Sequence, residues 1–360
     1  MKNIGSALRS VELFHFVALI YLVFTVTFAF ERILHTDCSY QIFHSINDKG
    51  FFFQENRFGV FPTQLLLVAG IWAELAMKAL VHLYSLGFPL IYIAAILVNH
   101  LVFRSREAAL ATILGLVIGT RETFFHCTTE THLLLVFSCL LHGAYEAAAR
   151  SDRAKRYYAV WALILIWGFF IHPNAIFTYF FVTGLAFLRK RITIKEALAA
   201  IAVCALSTLV KMGLTPAGSY DSKQYDQLFA WNENLSRFFD LPAVWFITSK
   251  PTDEYLGLGV LMAVLLIAYR KPLELLFTFI CAAGFLAITI FTFPYGDSLV
   301  MMEKAYMPAG FMFVLLFCVL FYRSRRKWPW TVLAVILAAP FLRTLPMHCS
   351  PSDWIGLLRS

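Results

Sequence analysis

The sequence predicts an all-α polytopic membrane protein, and three observations support this fold class. Of the 360 residues, 60% are hydrophobic and 14% are charged, whereas soluble domains carry about 25% charged residues. The mean hydropathy is +0.70. The apolar residues form long continuous runs, whereas the strands of a membrane barrel are short and alternate in polarity. Helices and closed barrels alone satisfy the backbone within lipid, so these runs predict membrane-spanning helices.

The Lys and Arg residues fall in short clusters between the apolar runs, and these clusters orient the chain. Cytoplasmic loops of membrane proteins are rich in Lys and Arg, so we expect every cluster on the cytoplasmic side. The formal net charge of +8 therefore reflects orientation and predicts no nucleic-acid partner. The clusters are Arg104–Arg106, Arg150–Arg156, Arg189–Arg191, Arg270–Lys271 and Arg323–Lys327.

The first span is predicted at Glu12–Phe30, running outward as a retained anchor. Two apolar runs follow, Thr63–Val81 and Tyr84–Phe103. If both crossed the membrane, every later basic cluster would be inverted. In the first run, polar residues recur every four positions (Glu74, Lys78 and His82), which makes one polar edge on a helix. Thr63–Val81 is therefore predicted to lie in the external membrane interface, and Tyr84–Phe103 to span inward.

The remaining spans bring the predicted total to about eleven transmembrane helices, besides external juxtamembrane helices. The whole chain, residues 1–360, is expected to be a single transmembrane domain without a soluble domain. Residues 31–83 and 213–255 form its long external segments. The further spans are expected at Ala108–Thr120, His132–Ala148, Tyr157–Ile171, Ala175–Leu188, Ile194–Met212, Leu256–Tyr269, Pro272–Phe291, Tyr306–Tyr322 and Trp328–Leu345.

Most non-basic polar residues fall on the external side, and two acids there are the candidate catalytic residues. Asp37 begins a short helix in the first external segment, where it is either a carboxylate facing a cavity or a helix N-cap, for which Asp is preferred. Glu130 lies at the mouth of an apolar helix. An ionisable group at such depth is a functional candidate, and the alternative is a charge that marks the membrane boundary.

Arg57 and Gln64 are the first candidate substrate-binding residues, in the segment Glu55–Gln64 (ENRFGVFPTQ). Arginine binds phosphate through two parallel hydrogen bonds, and a Gln seven positions later could share the same cavity. The alternative for Arg57 is an interfacial arginine that extends to lipid head groups. Further external candidates are Tyr40, His132, His172 and Lys304. The simplest interpretation of His172-Pro173-Asn174 is a turn, and Asp221, Asp226 and Asp297 are expected to be solvated loop charges.

The order of these features resembles the GT-C superfamily of polytopic glycosyltransferases, which includes protein mannosyltransferases and the aminoarabinose transferase of lipid A. Asp37 with Tyr40 resembles the acid and following aromatic of that superfamily's first external loop, and Glu130 matches its second acid. Phe61-Pro62-Thr63-Gln64 resembles its proline-containing juxtamembrane helix. The chain also resembles bacterial membrane proteins with an Asp-x-x-Tyr, Asn-Arg and Thr-Gln series. The resemblance covers the first 150 residues, and the usual Asp-Glu pair is absent.

The resemblance implies a glycosyltransferase that uses a polyprenyl-phosphate sugar as donor, with a lipid or glycan as acceptor and with membrane lipids around it. Asp37 would be the general base of an inverting reaction, Glu130 would assist it, and Arg57 with Lys304 would hold the phosphate. The active face would be the external or periplasmic side of a bacterial inner membrane. Asp37 and Glu130 could ligate a divalent cation, but two acids are too few to define a site.

Two other classes of function remain open. A transporter or flippase of a lipid-linked or small polar substrate would place ionisable residues near the bilayer midplane, often on broken helices and with internal repeats. Lys211, at the end of an apolar run, is the nearest candidate for such a residue. The third class is a non-catalytic membrane subunit that scaffolds a partner.

Overall fold

The structure is a computed structural model that describes residues 13–33, 36–118, 130–150, 155–249, 256–296 and 305–323. Within these ranges the regular elements are all helices, without strands. They are α1 (Leu13–Thr27), α2 (Thr36–Asn47), α3 (Phe61–Trp72), α4 (Met77–Leu97), α5 (Arg106–Ile118), α6 (Glu130–Ala148), α7 (Lys155–Phe169), α8 (Ala175–Leu188), α9 (Ile194–Leu214), α10 (Tyr220–Phe229), α11 (Trp231–Leu235), α12 (Pro242–Ser249), α13 (Leu256–Ala268), α14 (Pro272–Thr292) and α15 (Met307–Arg323).

Three helical segments in the described part of the chain are long and apolar enough to cross a membrane. They are Met77–Val102, which joins α4 to a following π-helical turn, and the helices α9 and α14. Shorter apolar helices accompany them, among them α7 and α8. The sequence therefore encodes a helical membrane protein. The total of about eleven transmembrane helices stays a prediction. The last predicted span, Trp328–Leu345, lies outside the described residues.

Two helices form the centre of the molecule. In α6, nearly every side chain from Thr131 to Ala148 is buried, and α15 is buried from Met307 to Phe321. Helix α6 packs against α5, α7 and α8, whereas α15 packs against α5, α13 and α14. Because α6 is enclosed by protein, it can carry polar side chains without exposing them to lipid. The Ser138 hydroxyl forms a hydrogen bond of 3.1 Å with Thr178 on α8, and the Tyr145 hydroxyl forms one of 3.1 Å with Thr183 on the same helix.

Helices α1 and α4 form an antiparallel pair. The rings of His15 and His100 meet edge to face at 5.2 Å near one end, and the Ser85 hydroxyl donates a hydrogen bond of 3.3 Å to the carbonyl of Thr25 near the other. These contacts align the C-terminal end of α1 with the first third of α4. Residues that follow α1 therefore begin beside α4.

The predicted single helix Thr63–Val81 is wrong, because the structure divides it into α3 and α4 at a turn. Glu74 has a φ of 52°, and the amide of Leu75 donates to the carbonyl of Gly70 at 3.0 Å. This is the hydrogen bond of a Schellman motif, which ends a helix with a left-handed residue, usually glycine. Glu74 lies in this turn, so it does not continue a polar helical edge.

Helix α3 lies lengthwise along α4 in the opposite direction. A Cβ atom on Gly87 would lie 1.8 Å from the Thr63 carbonyl oxygen, and a Cβ on Gly70 would lie 2.6 Å from the Leu83 side chain. The later residue of α3 thus meets the earlier residue of α4, so the two helices run in opposite directions. The close approach at Gly87 depends on the absence of a side chain there.

A cluster of buried charges lies at the end of α6 that is remote from Glu130. The Arg189 guanidinium contacts Glu107 at 2.8 Å and Glu146 at 3.2 Å, and Arg191 contacts Glu146 at 3.0 Å. Glu107, His142 and Glu146 lie close enough together to offer three ligand atoms to a cation. Since Arg189 lies among them and supplies positive charge, we interpret this cluster as an ion-pair network that joins α5, α6 and the end of α8.

Candidate functional site

The loop between α2 and α3 contains left-handed backbone and is held in place by hydrogen bonds to its neighbours. Glu55 and Asn56 both have positive φ values, 51° and 54°, a conformation that costs other residues more than glycine. The side-chain amide of Asn56 donates to the Leu214 carbonyl at 2.9 Å. The amide of Gly59 donates to the Phe170 carbonyl at 2.8 Å. The loop is thus fixed to the ends of α9 and α7, with Arg57 between the two attachment points.

Arg57 is buried between two acids from distant parts of the chain. Its side chain is 8% exposed. Its Nη1 atom contacts the Glu130 carboxylate at the start of α6, and its Nη2 atom lies 2.6 Å from Oδ1 of Asp221 on α10. Burial alone would lower the pKa of the guanidinium, but the two carboxylates raise the pKa above its ordinary value. Arg57 therefore stays charged at every accessible pH.

Lys211 and Glu55 complete the charged group. The Lys211 ammonium at the end of α9 lies 3.7 Å from Asp221 Oδ2, and it donates a hydrogen bond to the Glu55 carbonyl. The Glu55 carboxylate accepts hydrogen bonds of 3.2 and 3.4 Å from the first two amides of α10, those of Tyr220 and Asp221. A carboxylate is stabilised at a helix N-terminus. We call Glu55, Arg57, Glu130, Lys211 and Asp221 the charged cluster.

A cavity of about 190 Å³ opens beside the charged cluster, between α8, α9, α10 and α14. At its polar end lie Arg57, Lys211 and Asp221, together with Gln224 and Tyr225 of α10. Burial raises the pKa of the Tyr225 phenol to about 12, so this hydroxyl keeps its proton at neutral pH. The rest of the wall is mainly apolar and includes Phe169, Ile176, Phe177, Met212, Leu228, Phe229, Ile288 and Phe293.

The cavity is lined by charged side chains and by a mainly apolar wall. This combination suits an amphiphilic ligand. Pockets for drug-sized ligands measure about 300–1,000 Å³. At about 190 Å³, this cavity would enclose part of a lipid, either its head group or the first section of its chain.

The predicted site residues do not all meet at this cavity. Glu130 and Arg57 form one ion pair of the charged cluster, and His172 lines the cavity wall. The Nδ1 atom of His172 accepts a hydrogen bond of 3.1 Å from the Asn174 amide, which supports the turn at this position. Lys304 lies outside the described residues.

Asp37 and Tyr40 lie on α2 and do not line the cavity. Asp37 is exposed in the first turn of this helix. Tyr40 packs edge to face on His44, with ring centroids 4.3 Å apart. That Asp37 and Glu130 lie close together stays a prediction.

Gln64 and His132 are buried in other surroundings. The Gln64 side chain accepts a hydrogen bond from the Phe52 amide at 3.0 Å and donates one to the Phe52 carbonyl at 2.8 Å. It therefore stabilises the loop between α2 and α3. His132 faces a separate small cavity, together with Thr112 and Cys139.

The sequence interpretation did not assign Asp221 or Gln224 to the site, and it considered Lys211 only as a candidate residue of a transporter. Asp221 was expected to be a solvated loop charge, and this is wrong, because it is 3% exposed. Lys211 is also buried, with 1% exposure, and a lone lysine in a long apolar helix was a usable signal. Gln224 offered no signal in the sequence, since its place in the wall depends on how α10 packs against α14.

No family model, curated protein or solved structure matches this chain.

Proposed function

We propose that this protein is a membrane glycosyltransferase that moves a sugar from a polyprenyl-phosphate donor to a lipid or glycan acceptor. The observation that supports this most is the burial of Arg57 between Glu130 and Asp221 at the polar end of an apolar cavity. Buried charges in membrane proteins are rare and are usually functional. The proposal also agrees with the resemblance of the first 150 residues to GT-C glycosyltransferases.

The donor lipid would bind with its phosphate at the charged cluster and its chain along the apolar wall. Among the described residues, Arg57 and Lys211 are the two Lys or Arg side chains that line the cavity. Arginine matches the geometry of phosphate with two donors, and lysine acts as a point charge. Because Asp221 already pairs with both cations, an incoming phosphate would replace part of these contacts and leave a carboxylate available to act as a base.

Asp221 is the carboxylate best placed for general-base catalysis. It lines the cavity, and its Oδ2 atom makes no hydrogen bond with the residues described. The base would take the proton of the acceptor hydroxyl while that oxygen attacks the anomeric carbon. The bond from this carbon to the phosphate oxygen would break, and the polyprenyl phosphate would leave with the bonding electrons. A single displacement inverts the anomeric configuration.

The other residues would support this step without touching the reacting atoms. Glu130 orients the Arg57 guanidinium, which would stabilise the departing phosphate. Asp221 replaces Asp37 as the proposed base, because Asp37 does not line the cavity. A divalent cation does not fit the charged cluster, since the Arg57 guanidinium already lies between Glu130 and Asp221. The active face would be the external side, in a bacterial inner membrane.

Transfer from defined donors tests the proposal. The purified protein in lipid nanodiscs would be given radiolabelled polyprenyl-phosphate hexoses, with membrane lipids and glycans as acceptors. A general base contributes about 10²–10⁴-fold, so Asp221→Asn should lower the transfer rate by at least about 100-fold. Asp226→Asn, on the exposed side of the same helix, is the matched control and should leave transfer unchanged. Full transfer by Asp221→Asn would exclude the assigned role.

A transporter or flippase is the second candidate, and the buried Lys211 favours it. This cation lies in α9, one of the three long apolar helices, and intramembrane cations commonly mark substrate pathways. The two functions differ in the product. Movement of the labelled lipid across a vesicle membrane without a new glycosidic bond would identify a flippase.

A further inference from the structure

Gln224 has an unused hydrogen-bond acceptor at the polar end of the cavity. It lies three residues after Asp221 on α10, so the two side chains share one face of the helix. Both residues line the cavity. The Oε1 atom of Gln224 is buried, and it has no hydrogen-bond partner among the residues that the structure describes. A buried acceptor without a donor is unfavourable, and most such groups in proteins are satisfied.

The chemistry of this acceptor restricts what can satisfy it. A phosphate diester carries acceptors and no donor, so it matches Arg57 and Lys211 and does not match Gln224 Oε1. The prenyl chain has no polar group at all. A sugar hydroxyl is a donor, and in the proposed donor lipid it is covalently attached next to the phosphate. Tyr225, the next residue on α10, lines the same part of the wall.

We propose that Gln224 recognises the sugar of the donor lipid by accepting a hydrogen bond from one of its hydroxyl groups. This inference rests on the proposed function and adds a specificity-determining residue to it. Asp221 remains the group that faces the acceptor substrate, and Gln224 faces the donor sugar.

The assignment has a consequence for product release. After transfer, the polyprenyl phosphate that leaves has lost the sugar and with it the hydroxyl that satisfied Gln224. The spent lipid then leaves Oε1 unsatisfied again, whereas its phosphate monoester presents more negative charge to Arg57 and Lys211 than the phosphate diester of the donor. Gln224 therefore holds the loaded lipid alone, and the spent lipid is held by its phosphate.

Lipid binding to the purified protein in nanodiscs tests the proposal without any need for turnover. The probes are the methyl diester of polyprenyl phosphate, which carries one negative charge like the donor and which we call the bare lipid, and polyprenyl-phosphate glucose, mannose and galactose. Each is titrated by tryptophan fluorescence. The measured quantity is the ratio of the two dissociation constants, bare lipid to glycosylated lipid. One net hydrogen bond corresponds to about fivefold, so at least one hexose should bind the wild-type protein about fivefold more tightly than the bare lipid.

Three variants separate recognition from folding. Gln224→Leu should bring the ratio close to one while the affinity for bare lipid is kept. Gln224→Glu keeps an acceptor oxygen and should keep the ratio, even if its charge weakens both lipids. Gln227→Leu, on the exposed side of α10, is the matched control and should behave as wild type.

The outcomes are distinguishable. An unchanged ratio in Gln224→Leu overturns the inference. A wild-type protein that binds all the lipids equally also overturns the inference. That result would still agree with the proposed binding of a lipid phosphate at the charged cluster. A wild-type protein that binds none of them contradicts the proposed function, and the inference fails with it.

Discussion

Replacing Arg57 by methionine should destabilise the protein strongly, because it leaves the buried Asp221 and the partly buried Glu130 without their shared cation. The Arg57 Nη2 and Asp221 Oδ1 atoms are 2.6 Å apart. At an effective dielectric constant of about 20, this attraction alone is about 6 kcal/mol before desolvation is considered. Removal of one partner from a buried ion pair costs about 3–5 kcal/mol in measured cases. We expect Arg57→Met to lower the free energy of unfolding by this amount.

A second substitution that removes one negative charge should restore part of the stability lost in Arg57→Met. In the double variant Arg57→Met/Glu130→Gln, one positive and one negative charge are removed together, and Asp221 keeps Lys211 at 3.7 Å. The second substitution should restore at least half of the lost stability, because a buried ion pair can be replaced by neutral groups at little cost.

Unfolding by sodium dodecyl sulfate in mixed micelles, followed by tryptophan fluorescence, measures both effects. Arg191→Met is the matched control, because the Arg191 side chain is 33% exposed and Glu146 keeps its contact with Arg189. Its cost should be below about 1 kcal/mol. If Arg57→Met cost no more than this control, or if Glu130→Gln increased the loss, the charged cluster would not be held by the described ion pairs.

Three further measurements follow from the fold. Gly87→Ala should reduce the yield of folded protein severely, because the new Cβ would overlap the backbone carbonyl of Thr63. Gly213→Ala, where a Cβ has nothing within 4 Å, should be tolerated. Equal yields of the two variants would contradict the packing of α3 on α4. Arg189→Met should cost about 3–5 kcal/mol in the unfolding assay, because it removes the buried cation that contacts both Glu107 and the buried Glu146, and a loss as small as that of Arg191→Met would argue against the ion-pair network. Cysteines introduced at Lys78 and Lys195, both exposed, should react with a membrane-impermeant maleimide from opposite sides, and labelling from one side would refute the proposed orientation.

The helices were largely predictable from the sequence, because long apolar runs bounded by basic clusters depend on local composition. The predicted span Ala175–Leu188 and helix α8 have the same bounds. The break between α3 and α4 was not predictable in this way. It depends on Glu74 in a left-handed conformation, where a sequence pattern would look for glycine.

The site was predictable in part. Arg57 and Glu130 stood out because each is a charge beside apolar sequence, but nothing local indicated that they pair across 73 positions. Asp221 lies in a polar segment that looks solvated, and its burial arises only when α10 packs against α14. Asp37 was favoured by its resemblance to a motif, and that resemblance contains no information about the walls of the cavity.

The pairing of Arg57 with Asp221 also has a consequence for how the protein is made. The two residues are 164 positions apart, so a ribosome finishes the loop that carries Arg57 long before it begins α10. During this interval the arginine can contact at most Glu130, and only after synthesis of the segment that holds Lys211 and Asp221 can the remaining contacts close. Completion of the cluster is thus a late event in biogenesis. A chain interrupted before residue 221 would hold Arg57 beside Glu130 without its second carboxylate.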